Sequence, residues 1–440
     1  MPKILFIQPT QYGADKKLCK QKKIHLPGLV FPLLAAMTPD NWEVEVKIEV
    51  VDEINFDTDA DIVGIGTMGY AIYRGIEIAT EFRKRGKVVV MGGYMASLVA
   101  EKALEYVDSV VVGDAEIAYP LLLRDFEKTR NIQKIYHHPI GNLKGLPLPK
   151  YELLLEKPIG NMLPVQAGRG CTQSCSFCSI ASLYDGKYFT RPVDEVIRDI
   201  QRVKDLGFNR FYLLDDNIVS NPKYLKTLCK EIEPLKMTWA SQCTLHLAKN
   251  PDLLESVSHA GGNLLSFGIE SITQEGLNKL DKSWLRADEH KKLIKSISGA
   301  GIMVSSEMMI GTDSDTEVSI RSTYDFIQQT KIPIPRFYIL TPIPGSALYD
   351  RYKSENRLLT EDLQAYDGSH CVHVPANISP EKVNELYWWI YQKVFSWRSI
   401  IHRIILNPAA LKAPLLYLFA LAVNLHYRRY IKKRVPPNIF

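Results

Sequence analysis

Up to about residue 145 the chain alternates two patterns. Short runs of β-branched and other apolar residues, at 4–8, 44–51, 62–66, 88–91 and 109–112, have the length and composition of strands. Between them, apolar positions at 29–37, 73–85 and 99–106 recur every three or four residues, the spacing of one helix face. Strands alternating with helices predict an α/β fold with a parallel, doubly wound, Rossmann-like sheet. Such sheets bind ligands beyond the carboxyl ends of their strands. Turn residues fall at those ends: Pro9-Thr10, Thr67-Met68-Gly69, Gly92-Gly93-Tyr94 and Gly113-Asp114-Ala115-Glu116.

The stretch from Gly145 to Pro149 reads as a stiff, extended linker. A second alternation follows, with strands at 162–166, 210–214, 237–241, 263–267, 303–310 and 336–340. Helical patterns lie at 193–206, 222–232, 251–259, 274–279 and 288–300. Six strand–helix units occupy fewer residues than the roughly 250 of a closed eight-fold barrel. In parallel barrels the chemistry sits at the C-terminal strand ends. The C-terminal region is helical, with an unusually aromatic stretch at 379–397. An apolar run at 414–425 is followed by Arg428, Arg429, Lys432, Lys433 and Arg434. The pattern thus divides the chain into 1–145, 146–345 and 346–440.

Composition changes this picture little. Apolar residues make up 46% and charged residues 23%, as in a globular chain with real cores. The net charge of +5 is mild, and no basic stripe outside the tail points to nucleic acid. The N-terminus enters a strand pattern at once, without the order of a signal peptide.

The candidate chemistry is concentrated in Arg169-Gly170-Cys171-Thr172-Gln173-Ser174-Cys175-Ser176-Phe177-Cys178, a C-x3-C-x2-C spacing entered through Gly168 and Gly170. Three thiolates on one loop suit a single soft metal centre. A 4Fe–4S cube takes four cysteine ligands, so three leave one iron open to substrate or cofactor. Structural zinc would want a second ligand pair, and none lies nearby. A disulfide cluster does not suit a chain whose other cysteines, Cys19, Cys229, Cys243 and Cys371, are scattered singly. Three buried cysteines packed by coincidence is the remaining alternative. A cluster needs reduced thiols, which suggests the cytoplasm.

This stretch resembles the signature of the radical S-adenosylmethionine (SAM) superfamily, with Phe177 at its aromatic position. The resemblance implies a partial (β/α)6 barrel of TIM type and a 4Fe–4S cluster on Cys171, Cys175 and Cys178. It also implies reductive cleavage of SAM to methionine and a 5′-deoxyadenosyl radical. Asp215-Asp216-Asn217, at the second strand end, coincides with the stretch that holds the amino group of SAM. The alternative there is an Asx turn. Ser241 and Gln242 reach the same rim, while Trp239 reads as core. Glu270 and Ser271, in a "G-I-E-S" segment, correspond to residues near the SAM ribose and carboxylate; a helix-capping role for Ser271 or Thr273 is compatible with that. The turn Thr341-Pro342-Ile343-Pro344-Gly345 resembles one in the cobalamin-dependent subfamily.

The N-terminal turns also resemble the cobalamin-binding domain of that subfamily, which assigns Thr67, Met68, Gly69, Gly92, Gly93, Tyr94, Gly113 and Glu116 to cobalamin. Glycines there would let backbone approach the macrocycle. The Asp-x-His-x-x-Gly motif of a cobalt-ligating histidine is absent, and His25 lacks its flanking pattern. A degenerate domain without cobalamin is the alternative. The resemblance implies a methyltransferase acting on an unactivated carbon, with a flavodoxin or ferredoxin as electron donor. A radical cyclase, oxidase or coupling enzyme and a non-catalytic cobalamin sensor are the other readings.

Three features remain open. Glu307, in an apolar strand, is either a substrate-side acid or half of an ion pair. His370, Cys371 and His373 look like metal ligands without a fourth partner, in a turn expected to lead into a strand over the active-site mouth. The run at 414–425 is too short to span a bilayer, but with its basic neighbours it suits an anionic membrane interface. A packing helix is the alternative. Membrane contact would imply a hydrophobic substrate such as an isoprenoid, a lipid or a tetrapyrrole.

Overall fold

The computed structural model describes residues 1–13, 17–139 and 142–437. Residues up to Pro164 form one compact unit and the described residues from Val165 onward a second. The first contains a six-stranded parallel sheet of β1 (Lys3–Gln8), β2 (Glu43–Ile48), β3 (Ile62–Gly66), β4 (Val88–Gly92), β5 (Ser109–Val112) and β6 (Ile135–His137). Its order is β2-β1-β3-β4-β5-β6, so the chain reverses direction of growth between β1 and β3. That is the doubly wound arrangement the alternation predicts. Ile62, Val63 and Ile65 of β3 are buried, as expected of a central strand covered on both faces. The helix Ile72–Lys84 buries Ile72, Gly75, Ile78, Ala79 and Phe82, a single stripe of helical spacing.

Three elements here differ from the reading of the sequence. The helix expected at 99–106 is two short pieces, Tyr94–Leu98 and Ala100–Ala103, broken at Val99, whose φ of −126° is not helical. The edge strand β6 and the helix Ala115–Thr129 were not anticipated; that helix carries Pro120 inside it, which masks its pattern. The stretch at 145–149 belongs to the first unit, with Leu146 and Tyr151 buried.

The second unit is built on β7 (Leu163–Val165), β10 (Arg210–Leu213), β11 (Thr238–Cys243), β12 (Gly262–Glu270), β13 (Met303–Ile310) and β14 (Ile334–Ile339). They pair in parallel in the order β14-β13-β12-β11-β10-β7, with β7 and β14 at the two edges. Sequential parallel order, with helices Val193–Asp205, Pro222–Ile232, Pro251–His259, Gln274–Lys279 and His290–Gly299 between strands, is the partial six-fold barrel. A sixth helix, Glu317–Thr330, begins at a Thr316–Ser319 capping box and was not anticipated. A separate two-stranded antiparallel ribbon pairs β8 (Gly168–Gly170) with β9 (Tyr188–Thr190). Trp239 is buried in the core and donates its indole N–H to Ala260 O at 2.9 Å.

The C-terminal segment packs on this second unit. Pro380–Val394 is helical, and the expected continuation to 397 is interrupted before the separate turn Trp397–Ile400. The expected strand after His370 reduces to one bridge between Leu358 and His373. Asp367 there folds the chain into a turn by accepting from Ser369 N at 2.7 Å. The last helix, Pro414–Lys432, buries Tyr417, Ala420, Val423, Asn424, Tyr427 and Ile431. The run at 414–425 is therefore partly a packing surface. No described helix is long and apolar enough to cross a membrane.

Candidate active site

The three cysteines lie just beyond β8. The glycines before them make a tightly packed entry. A Cβ on Gly168 would collide with the Tyr188 ring, and one on Gly170, at φ +89°, with Lys187 O. The small residues let β8 and β9 close on each other. Cys175 is buried, while Cys171 and Cys178 are partly exposed. Cys178 N donates to Cys175 O at 3.1 Å and Cys178 caps the helix Ser179–Tyr184.

The end of β10 clasps this loop. Asp215 is buried and accepts from Ala167 N at 3.0 Å and from Tyr188 Oη at 2.6 Å. Burial raises its pKa to about 6, against the pull of those hydrogen bonds. Asp216 accepts from Gly170 N at 2.8 Å. Asn217 points its Nδ2 at Cys171 Sγ, 3.6 Å away, and Ser220 Oγ is 3.9 Å from the same sulfur. Behind the clasp, Arg191 is buried and bonds Gln166 O at 3.0 Å and Asp199 at 2.7 Å. So Asp215, Asp216 and Asn217 do meet the cysteine loop, and they position it. On the far side, Leu348 N donates to Ser176 O at 2.9 Å. Phe177 packs against Leu280, Leu340, Leu348 and Tyr352.

The other rim residues divide. Ser241 is buried and turned to the backbone, donating to Leu213 O at 2.7 Å, whereas Gln242 is exposed. Glu270 is buried at φ +59°, beyond a register shift between β12 and β13. Its Oε1 is 2.6 Å from Lys282 Nζ, which also donates to Gly268 O at 2.7 Å. Burial raises the Glu270 pKa and Lys282 opposes that rise. Lys282 is the principal residue the sequence did not single out. A lysine twelve residues past a strand carries no mark of burial in the sequence. Ser271 accepts from Thr273 N at 3.2 Å and Thr273 caps the helix Gln274–Lys279, so the capping role is present.

Glu307 resolves as an ion pair. Its Oε1 lies 2.6 Å from Arg336 Nη2 and accepts from Ser266 Oγ at 3.0 Å. His370, Cys371 and His373 do not converge. His370 Nδ1 is 3.0 Å from Asp367, Cys371 Sγ donates to His373 O, and His373 Nε2 bonds Gly311 O at 2.9 Å while its ring stacks on Tyr352. Among the described residues no three His, Cys, Asp or Glu side chains gather as the shell of one ion. That arrangement does not suit a mononuclear site. Thiolates are the donors a 4Fe–4S cube takes, and Cys171, Cys175 and Cys178 offer three from one loop.

In the first unit, the assigned residues share the strand-end rim of β3, β4 and β5. Thr67 is buried, its N–H and Oγ1 both donating to Gly92 O. Gly93 has φ +99°, and a Cβ there would collide with Thr67 O. The crossing of two turns thus requires a glycine there by itself. Gly69 is at φ +52°, with Tyr94 Oη close to where a Cβ would stand. Burial raises the Tyr94 pKa. Gly113 N donates to Ser97 Oγ at 2.9 Å, and Glu116 lies in the first turn of the helix Ala115–Thr129. Met68 is exposed on this rim.

Residues 165–327 match the family model of the radical SAM superfamily. Those residues are a radical SAM domain, and the chain is an enzyme. Among curated proteins it is 28% identical, over 395 residues, to the bacteriochlorophyllide d C-8(2)-methyltransferase of Chlorobaculum tepidum, covering 86% of this chain and 88% of that one. It is 26% identical over 342 residues to the hopanoid C-2 methylase of Rhodopseudomonas palustris, covering 75% of this chain and 65% of that one. Among solved structures, OxsB, described as a cobalamin-dependent SAM radical enzyme, superposes with a TM-score of 0.71 at 12% identity, over 98% of this chain and 73% of that one. The radical SAM methyltransferase TsrM from Kitasatospora setae gives 0.66 at 15% identity, over 81% and 75%. At those identities the structural likeness is one of fold.

Proposed function

We propose that this radical SAM enzyme is a cobalamin-dependent methyltransferase acting on an unactivated carbon of a hydrophobic substrate: an isoprenoid, a lipid or a tetrapyrrole. The observation that carries the reading is the three-cysteine loop clasped at the mouth of a partial barrel, in a chain that also holds a doubly wound sheet with a glycine-lined rim. Relatives named for methylating a bacteriochlorophyllide and a hopanoid support both the reaction and the apolar substrate. Cys171, Cys175 and Cys178 would hold the 4Fe–4S cluster, and Asn217, Gln242, Glu270 and Ser271 would face SAM. When bound, the cluster supplies the electron that cleaves SAM, and cobalamin carries the methyl group. The protein's own part is positional. Asp215 and Asp216 fix the loop, and Lys282 holds the Glu270 carboxylate in place.

Exposed Met68 and the turns at Gly69, Gly92, Gly93, Tyr94, Gly113 and Glu116 would receive cobalamin. With no motif histidine, cobalamin taken up by the purified protein should give a base-off absorption spectrum. Absence of uptake even at high cobalamin concentration would transfer the reading to a radical cyclase, oxidase or coupling enzyme. In the same proposal the electron donor is a flavodoxin or ferredoxin, and the enzyme works in the cytoplasm, on a membrane surface met through its C-terminal tail. Mass spectrometry of lipid and pigment extracts from cells with and without the gene would identify the substrate. A difference of one methyl group supports the proposal, and a difference in ring closure or oxidation level opposes it.

A further inference from the structure

We infer that the surface which meets the membrane is an apolar footprint running from Trp397 to Phe419, wider than the terminal tail, and that its partner is the anionic leaflet of a bilayer. The inference deepens the proposed membrane contact and rests on it.

Eight of the seventeen large apolar side chains exposed among the described residues fall in this short segment. They form two stripes. Trp397, Ile401 and Ile405 recur every four residues along consecutive helical turns. Leu415, Leu418 and Phe419 follow helical spacing in the helix Pro414–Lys432, Leu411 ends the short turn Pro408–Leu411 before it, and Leu406 lies between the stripes. Leu411, Leu415 and Leu418 are 89%, 77% and 61% exposed. Exposed apolar residues scattered singly need no explanation, but eight within 23 residues do.

Charge selects the partner. From Leu386 onward the sequence has nine Lys and Arg and no Asp or Glu. Arg398, Lys412, Arg429, Lys432, Lys433 and Arg434 are exposed. A second copy of the same surface would bring these like charges together. An anionic lipid leaflet accepts both the apolar stripes and the cations around them.

The footprint is rigidly mounted. Arg403, wholly buried, donates to Ile332 O at 2.8 Å, Pro333 O at 2.9 Å and Val394 O at 2.9 Å. It also donates to Asn424 Oδ1 at 2.9 Å, and Asn424 Nδ2 in turn bonds Pro333 O at 2.9 Å. Lys331 Nζ reaches Leu406 O at 2.8 Å. The Ile332 and Pro333 carbonyls and Lys331 immediately precede β14, so the segment is fixed at the N-terminal rim of the barrel strands. The cysteine loop lies at the opposite strand ends. A substrate drawn from the leaflet would therefore leave it before reaching the cysteines.

The test uses full-length protein and vesicles of phosphatidylglycerol or of phosphatidylcholine. Wild type should co-sediment with phosphatidylglycerol vesicles, more weakly with phosphatidylcholine, and less at high salt. The triple variant Leu411→Asp, Leu415→Asp, Leu418→Asp changes only exposed side chains, so melting and uncoupled SAM cleavage should stay at wild-type values. Its vesicle binding should drop at least tenfold. Brominated lipids should quench wild-type tryptophan fluorescence and lose most of that effect in Trp397→Phe. Undiminished binding by the triple variant overturns the footprint. So does a wild-type protein that ignores vesicles and is instead a dimer that Leu415→Asp dissociates. Loss of SAM cleavage in wild type would be a failure of the enzymatic reading, which the vesicle measurements do not touch.

Discussion

At the scale of single residues, conformation and burial assign roles that composition conceals. Gly93 carries φ +99° beside Thr67 O, so Gly93→Ala should lower the stability of the cofactor-free protein by roughly 1–3 kcal/mol. Thermal melting without cobalamin measures it, and an unchanged melt with weakened cobalamin uptake would leave the macrocycle as the reason for the glycine. Lys282 and Glu270 are a buried pair, and removing one partner strands a charge. Lys282→Met should cost roughly 3–5 kcal/mol in denaturant unfolding, and adding Glu270→Gln should recover part of it. His290 and His373 are buried, and burial lowers the pKa of each to about 4. Between that value and the ordinary 6.5 the unfolded chain binds more protons, so stability should fall as pH drops from about 6.5 towards 4. His373→Gln should shallow this loss, as read from melting temperature against pH.

At the scale of elements, what the sequence revealed was what is local. The cysteine spacing, the alternation of strands and helices and the Asp215–Asn217 strand end are contiguous patterns, and all three are recognisable in the fold. Less legible were features set by distant partners. The Gly168 and Gly170 packing depends on Tyr188 and Lys187, and the burial of Lys282 depends on Glu270. The helix Ala115–Thr129 is disguised by Pro120, and the expected strand near His373 yields to a side-chain turn. The clasp itself can be tested. Asp216→Ala removes the acceptor for Gly170 N. Anaerobically reconstituted protein carrying it should retain less iron per chain than wild type after gel filtration, with far-ultraviolet circular dichroism unchanged. Equal iron would mean that Asp216 does not position the loop.

At the scale of the whole molecule, the chain joins a doubly wound sheet to a partial barrel that carries a three-cysteine loop. It carries the cysteine loop at one end of the barrel strands and a cationic, apolar surface at the other. The central claim is that Cys171, Cys175 and Cys178 hold a cluster that cleaves SAM. Its most direct measurement is 5′-deoxyadenosine formed per chain by reduced, reconstituted protein, wild type against Cys175→Ala. The account predicts about four irons and steady 5′-deoxyadenosine formation for wild type, and loss of both in the variant. Undiminished 5′-deoxyadenosine formation by Cys175→Ala would contradict it.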